Sequence, residues 1–210
     1  MSTPTRTRAS RKSPAERSAE IADAARLIAL EHGLAAVTLR AVATRVGVAP
    51  ALVAHYQPNM DVLVGSTFAT VVGTELAEVR EHVAALPSPR ERLAHLLETL
   101  LDGTRDDVTV VWVEAWALGR RNEPLAEAVR TEMDDWRGFV QGIIESGVAS
   151  GEFETDDAAS VAWQLLGMID GLNAHALVRW EDAADRGSRI GHAVEGMLGM
   201  PRGALASAPG

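Results

Sequence analysis

Val37-Thr38-Leu39-Arg40-Ala41-Val42-Ala43-Thr44-Arg45-Val46-Gly47-Val48-Ala49-Pro50-Ala51-Leu52-Val53-Ala54-His55-Tyr56 is the stretch from which the fold is read. Thr38 stands where it can cap a short helix whose apolar residues Leu39, Val42, Ala43 and Val46 share one face. Gly47 stops that helix. A second short helix runs from about Pro50 to Tyr56, with the proline tolerated in its first turn, and Pro58 ends it. Upstream, after Pro14, Ile21, Ala24, Ala25, Ile28 and Ala29 recur at helical spacing as far as Gly33. Three helices, the last two joined by a glycine turn, make a helix-turn-helix pattern.

Outward from this core the chain divides. Residues 1–12 are polar and without periodicity, and are expected to be a disordered basic arm ahead of a helix-turn-helix domain over 13–60. From Asp61 helix follows helix. One spans roughly 61–85, and Ser88-Pro89-Arg90-Glu91 reads as a capping box opening the next. Val108, Val111, Trp112, Ala115 and Trp116 form a stripe, as do Leu125, Val129, Met133, Trp136, Val140, Ile143 and Ile144. Further helices are expected from about Asp156 to Trp180 and from about Ser188 to Leu198, with 201–210 a flexible tail. No convincing period-2 strand interrupts the series. The class is all-α, with about nine helices.

Composition narrows the function. Of 210 residues 47% are apolar and 23% charged, which supports a core and excludes disorder as the dominant state. There is no cysteine, so disulfides, thiolate metal sites and cysteine nucleophiles are excluded. No apolar run approaches the roughly 20 residues of a membrane span and no apolar stretch follows the basic start, so no membrane partner and a cytoplasmic location are expected. Residues 1–50 hold eight Arg or Lys against four acids, and the remainder 12 against 25, for a net charge of −9. A cationic head on an anionic body suits a polyanion partner. The six histidines form no zinc pattern, and phosphate-loop, dinucleotide and nucleophile-elbow motifs are missing. Neither an enzyme nor a cofactor is expected. The rival reading is an all-α small-molecule-binding protein or enzyme without DNA function.

The Val37–Tyr56 segment resembles the signature of the TetR family of transcriptional repressors, and Ile21 to Gly33 resembles that family's first helix. Asn59-Met60-Asp61-Val62-Leu63 sits where the fourth begins. Ser146-Gly147-Val148-Ala149-Ser150-Gly151-Glu152-Phe153, followed by Ile169-Asp170-Gly171-Leu172, looks like the body of the choline-responsive subgroup. The resemblance implies a homodimer that binds an inverted-repeat operator in double-stranded DNA and is released by a small-molecule effector. It assigns Thr38 to phosphate, Arg40 to a base, and Pro50, Ala51, Leu52, Ala54, His55 and Tyr56 to the recognition helix. Four positions depart from the pattern: Ala49 replaces a capping Ser, Ala54 and Met60 replace a Tyr and a Lys that meet phosphate, and Gln57 replaces a Phe or other apolar residue.

In the body, which the same likeness makes a ligand-binding and dimerisation domain over 61–200, Trp112, Trp116, Met133, Trp136 and Asn173 are the candidate effector residues. Any one tryptophan is better explained by core packing. Several together with a few polar groups are what a pocket needs, and the acidic body favours a neutral or cationic ligand. Trp163, Gly167, Asp170, Ala174 and Leu177 form a stripe at 3-4 spacing, and Ile190, Val194 and Met197 another. These are the candidate dimer interface, a four-helix bundle of two helices per subunit; the alternative is that they face the subunit's own core.

Overall fold

The computed structural model describes residues 12–180 and 186–206, which form nine α-helices and no strand among the described residues. Helices α1 (Pro14–His32), α2 (Leu39–Val46) and α3 (Pro50–Tyr56) make the head, with one 3-10 turn, Leu34–Ala36, between α1 and α2. The body contains α4 (Met60–Ala84), α5 (Pro89–Leu101), α6 (Asp106–Gly119), α7 (Glu123–Ser150), α8 (Ala158–Leu177) and α9 (Arg186–Met197).

Local chemistry sets most helix ends. The Ser13 hydroxyl accepts the Glu16 N–H at 3.2 Å, and the Glu16 carboxylate accepts the Ser13 N–H at 2.6 Å, a reciprocal box that opens α1. Thr38 Oγ1 accepts from Ala41 N–H at 3.2 Å and opens α2. Gly47 closes α2 in the left-handed region at φ 73°, where a Cβ would meet nothing within 4 Å; its conformation alone demands glycine. At Ala49 no side chain caps α3, which relies on Pro50 in its first turn. Ile21, Ala25, Leu34, Val42 and Val53 are buried and lock the three helices together.

The long α4 joins head to body. Its buried face, which includes Leu63, Phe68, Val72, Leu76 and Val79, packs on α7 and α1. By length and composition alone α4 would span a membrane, but half of its most apolar window lies inside the protein, as in a core helix. The end of α7 shows why its glycines matter. A Cβ at Gly147 would lie 2.0 Å from the Phe153 ring, and Gly147 C=O accepts the N–H groups of Glu152 and Phe153 at 2.9 and 3.1 Å. The buried Phe153 ring thus folds the chain back over the helix it has just left.

Three expectations are revised. Helix α8 stops at Leu177 rather than Trp180, and Arg179 takes φ 55° just beyond it. The tail is not loose over 201–206. The Glu195 carboxylate, 2% exposed, accepts the N–H groups of Gly203 and Leu205 at 2.8 Å each, and Leu205 is buried. A buried carboxylate needs donors, and the returning backbone supplies them. Ile190 and Val194 are 2% and 0% exposed and face the subunit's own core, where α9 packs on α5 and α8, so they offer no surface to a partner. Residues 1–11, nearly all of the expected arm, and 207–210 lie outside the described residues.

Candidate functional sites: an exposed short helix and a tryptophan-lined cavity

On the head, the buried Val53 anchors α3 while Pro50, Ala51 and His55 are exposed on its outer side. Leu52, Ala54 and Tyr56 are half-buried, and the Tyr56 ring meets the His55 ring edge-on at 5.2 Å. Thr38 and Arg40 at the start of α2 are exposed as well. Arg45 is committed elsewhere: its guanidinium grips both Glu31 oxygens at 2.5 and 2.6 Å, tying α2 to α1. Those hydrogen bonds hold the Glu31 carboxyl below its ordinary range. A seven-residue helix presents one face and its first turn, which is what a major groove about 12 Å wide admits.

The body contains a cavity of about 260 Å³ among α4, α6, α7 and α8. Trp112, Trp136 and Trp163 supply aromatic walls and Met133 a thioether. Phe68 backs Trp112 edge-on at 4.9 Å. Trp136 is 5% exposed, and its Nε1–H has no hydrogen-bond partner among the described residues. Two carboxylates reach the same space, Glu75 from α4 and Asp170 from α8. Burial pushes Glu75 up to about 7 against the pull of Arg105, whose Nη1 lies 3.6 Å away, and Asp107 and Glu78 push it further. Burial alone pushes Asp170 up to about 6. The other charges on the lining, Asp134 and Arg137, pair with each other at 2.9 Å. Glu75 also borders a second cleft, reached by Arg26 and Leu30 of α1.

The head and body match separate family descriptions: residues 21–67 match bacterial regulatory proteins, tetR family, and residues 89–197, just over half of the chain, match BetI-type transcriptional repressor, C-terminal. The chain is a member of the TetR family. Among its relatives is the HTH-type transcriptional regulator BetI of Rhizobium meliloti (strain 1021), 28% identical over 152 residues, or 72% of this chain and 73% of that protein. The fold is shared with a regulator from Saccharomonospora viridis solved in complex with choline, at TM-score 0.77 and 21% identity over 88% of this chain and 98% of that one. It is shared too with FadR of Bacillus subtilis in complex with stearoyl-CoA, at TM-score 0.66 and 22% identity over 85% and 98%. TetR-family proteins are regulators rather than enzymes, and typically bind DNA and small molecules as dimers.

Within this TetR-family body, Trp112, Met133 and Trp136 line the cavity as the sequence suggests, whereas Trp116 and Asn173 do not. Trp116 stacks on the back of Trp112, with ring centroids 5.7 Å apart, and Asn173 Nδ2 donates to Leu100 C=O at 2.8 Å. Trp163, Gly167 and Asp170, read from the sequence as interface, are on the cavity wall. Ala174, Leu177 and Met197 are half-buried. Sequence reasoning passed over Glu75, although it lies in phase with Phe68, Val72, Leu76 and Val79; a lone acid on an apolar face was the available signal. Glu114 is not in the cavity. It reaches the head, where its carboxylate accepts the Ala35 N–H at 2.8 Å beside Gly33, whose φ of 84° and missing side chain make room for it.

Proposed function

We propose that this chain is a homodimeric transcriptional repressor that reads an inverted-repeat operator with α3 of each subunit and leaves it when a small organic cation fills the cavity. The observation that carries this reading is the combination in one chain of an exposed short helix and a compact cavity walled by three tryptophans, whose lining includes the raised carboxyls of Glu75 and Asp170. Aromatic faces attract a cation, and a desolvated carboxylate without a countercharge gains most from one. Asp170 is such a group, since no ion pair among the described residues involves it and Arg105 serves Glu75 and Glu78. The free Trp136 N–H suits a hydroxyl or ether oxygen on the same ligand. The choline bound by the Saccharomonospora viridis protein has this chemistry. A cavity of about 260 Å³ is at the small end for ligand sites, which favours a compact effector.

Dimerisation through α8 is supported by its exposed apolar groups. Trp163 is 67% exposed, and Val178 and Trp180 just beyond the helix are also exposed, while Gly167 and Gly171 leave room for close approach. Two recognition helices on a two-fold axis read enough base pairs for specificity, one helix too few. The DNA partner makes the cytoplasm its place of action.

Selection of bound sequences from random duplex DNA tests the first half: an inverted repeat is expected, and indifference to every duplex would end the reading. For the second half, tryptophan fluorescence follows titration with choline and with its neutral counterpart 3,3-dimethylbutanol. Choline alone should perturb the signal and release the operator. Equal response to both would remove the cation and leave the DNA reading standing.

A further inference from the structure

We propose that Glu114 of the body is a positioning residue for operator recognition: by holding the turn between α1 and α2 it fixes the half-site spacing that the dimer accepts, an inference that rests on reading the chain as a dimeric DNA binder. Its ground is how the head is fastened. Apart from the bonds around Asn59, which open α4, one hydrogen bond joins residues 12–58 to the body among the described residues. It runs from the Ala35 N–H to the Glu114 carboxylate at 2.8 Å.

Both sides of the contact are shaped for it. In the turn Leu34–Ala36, Gly33 C=O accepts the Ala36 N–H and Leu34 C=O accepts the Val37 N–H, so the Ala35 N–H has no acceptor within its own turn. Gly33 is buried beside the incoming carboxylate, and a Cβ there would lie 2.6 Å from Oε2 and 2.8 Å from Oε1. Glu114 is half-buried on α6, where Val111 and Ala115 on either side of it are fully buried in the body's core. The acceptor is thus fixed to the body and the donor to the head. Elsewhere along α6 the fit is more open, although α1 also packs on it. Near the start of α6 a cleft of about 380 Å³ is lined by Arg105 and Val108 and by Arg26 and Leu30 of α1. Near its end another of about 270 Å³ is lined by Leu118 and by Leu34 and Val37 of the head. These spaces leave the head room to turn about α4.

DNA sets the size of motion that matters. One base pair more or less between half-sites moves the second by about 3.4 Å along the duplex and about 35° around it. Divided between two heads that is about 1.7 Å each, and a 2.8 Å hydrogen bond lengthened so far is lost. A dimer on the wrong spacing therefore gives up two Glu114–Ala35 bonds, and a dimer on the right one keeps both. The contact supplies discrimination between operators rather than affinity for any of them.

The test compares the selected operator with versions one base pair longer and one shorter, by fluorescence anisotropy at a single salt concentration. Hydrogen bonds to charged groups are worth about tenfold each, and less where water reaches them, so for the two together Glu114→Ala should shrink the affinity ratio between right and wrong spacings by about tenfold. Most of that change should be stronger binding to the wrong spacings. Glu114→Asp keeps the charge but is a methylene shorter, and should behave as the Ala variant does. Glu114→Gln keeps an oxygen able to accept the same N–H and should keep most of the wild-type ratio. A merely structural role would weaken all three duplexes alike, with a matching drop in thermal melting. That parallel weakening, or an unchanged ratio in folded Ala and Asp variants, overturns the proposal. So does a loss in the Gln variant equal to that in the Ala variant, and so does a wild-type protein indifferent to spacing. If the wild-type protein binds no duplex at all, the DNA reading itself has failed, an outcome distinct from operator binding whose spacing preference survives the substitutions.

Discussion

The head and the body handle charge in opposite ways. In the head, carboxylates and guanidinium groups pair at the surface, as Arg45 does with Glu31, and the interior is entirely apolar around Ile21, Val42 and Val53. In the body, Glu75 and Asp170 are drawn into a cavity where burial raises both carboxyls. The head therefore keeps its charged groups at the surface, with none of its described residues burying one. The body holds groups that are poorly solvated until something fills the space beside them. One region is built to be read against a partner, the other to be altered by one.

The sharpest way to break this contrast is to put charge on the reading surface. Ala51→Glu on the exposed side of α3 should reduce operator affinity at least a hundredfold, since like charges at an interface cost several kcal/mol, about 3 or more. Its melting temperature should stay within a degree or two of wild type, and a large drop would show that the position is structural. In the body the expected result is reversed, with stability rising as function is lost. Because the folded Asp170 carboxyl titrates near 6, above its ordinary value of 3.8, wild-type stability falls as pH rises through that interval. Asp170→Asn escapes that cost. It should be more stable than wild type at pH 8, by up to about 3 kcal/mol, with the advantage gone below about pH 4. Denaturant melts at the two pH values decide this, and the same variant should bind choline at least tenfold more weakly.

A third measurement uses the ligand as probe. Choline keeps its charge at every pH, so any pH dependence of its binding belongs to the protein. Affinity should climb as pH passes through about 6 and about 7, where Asp170 and Glu75 ionise, and calorimetry in buffers of different ionisation enthalpy should show proton release. A flat profile from pH 5 to 8 would take both carboxylates out of the binding event. The smallest effect is expected in the head. Arg45→Ala breaks an exposed, solvent-screened ion pair and should leave the urea midpoint close to that of wild type.

The same contrast explains what the sequence disclosed. Helix ends in the head are local matters: Thr38 caps three residues ahead, and Gly47 is required by its own φ. Both can be read from their neighbours. The stripe Trp163, Gly167, Asp170 shows only that these residues share a face; whether that face meets another subunit, a cavity or the subunit's own core depends on helices far away in the chain. The tail was illegible for a related reason. Glu195 gathers N–H groups from Gly203 and Leu205 after an intervening turn, and nothing in a run of small residues announces a buried carboxylate waiting for donors.

Glu75 has one wall on the cavity and another on the cleft beneath α1. A change in the charge of this side chain therefore alters the electrostatics of both spaces at once. Thermodynamic reciprocity then runs backwards through the same carboxylate: whatever factor an effector takes from operator affinity, bound operator must take from effector affinity. The promoter would act as an antagonist of its own inducer.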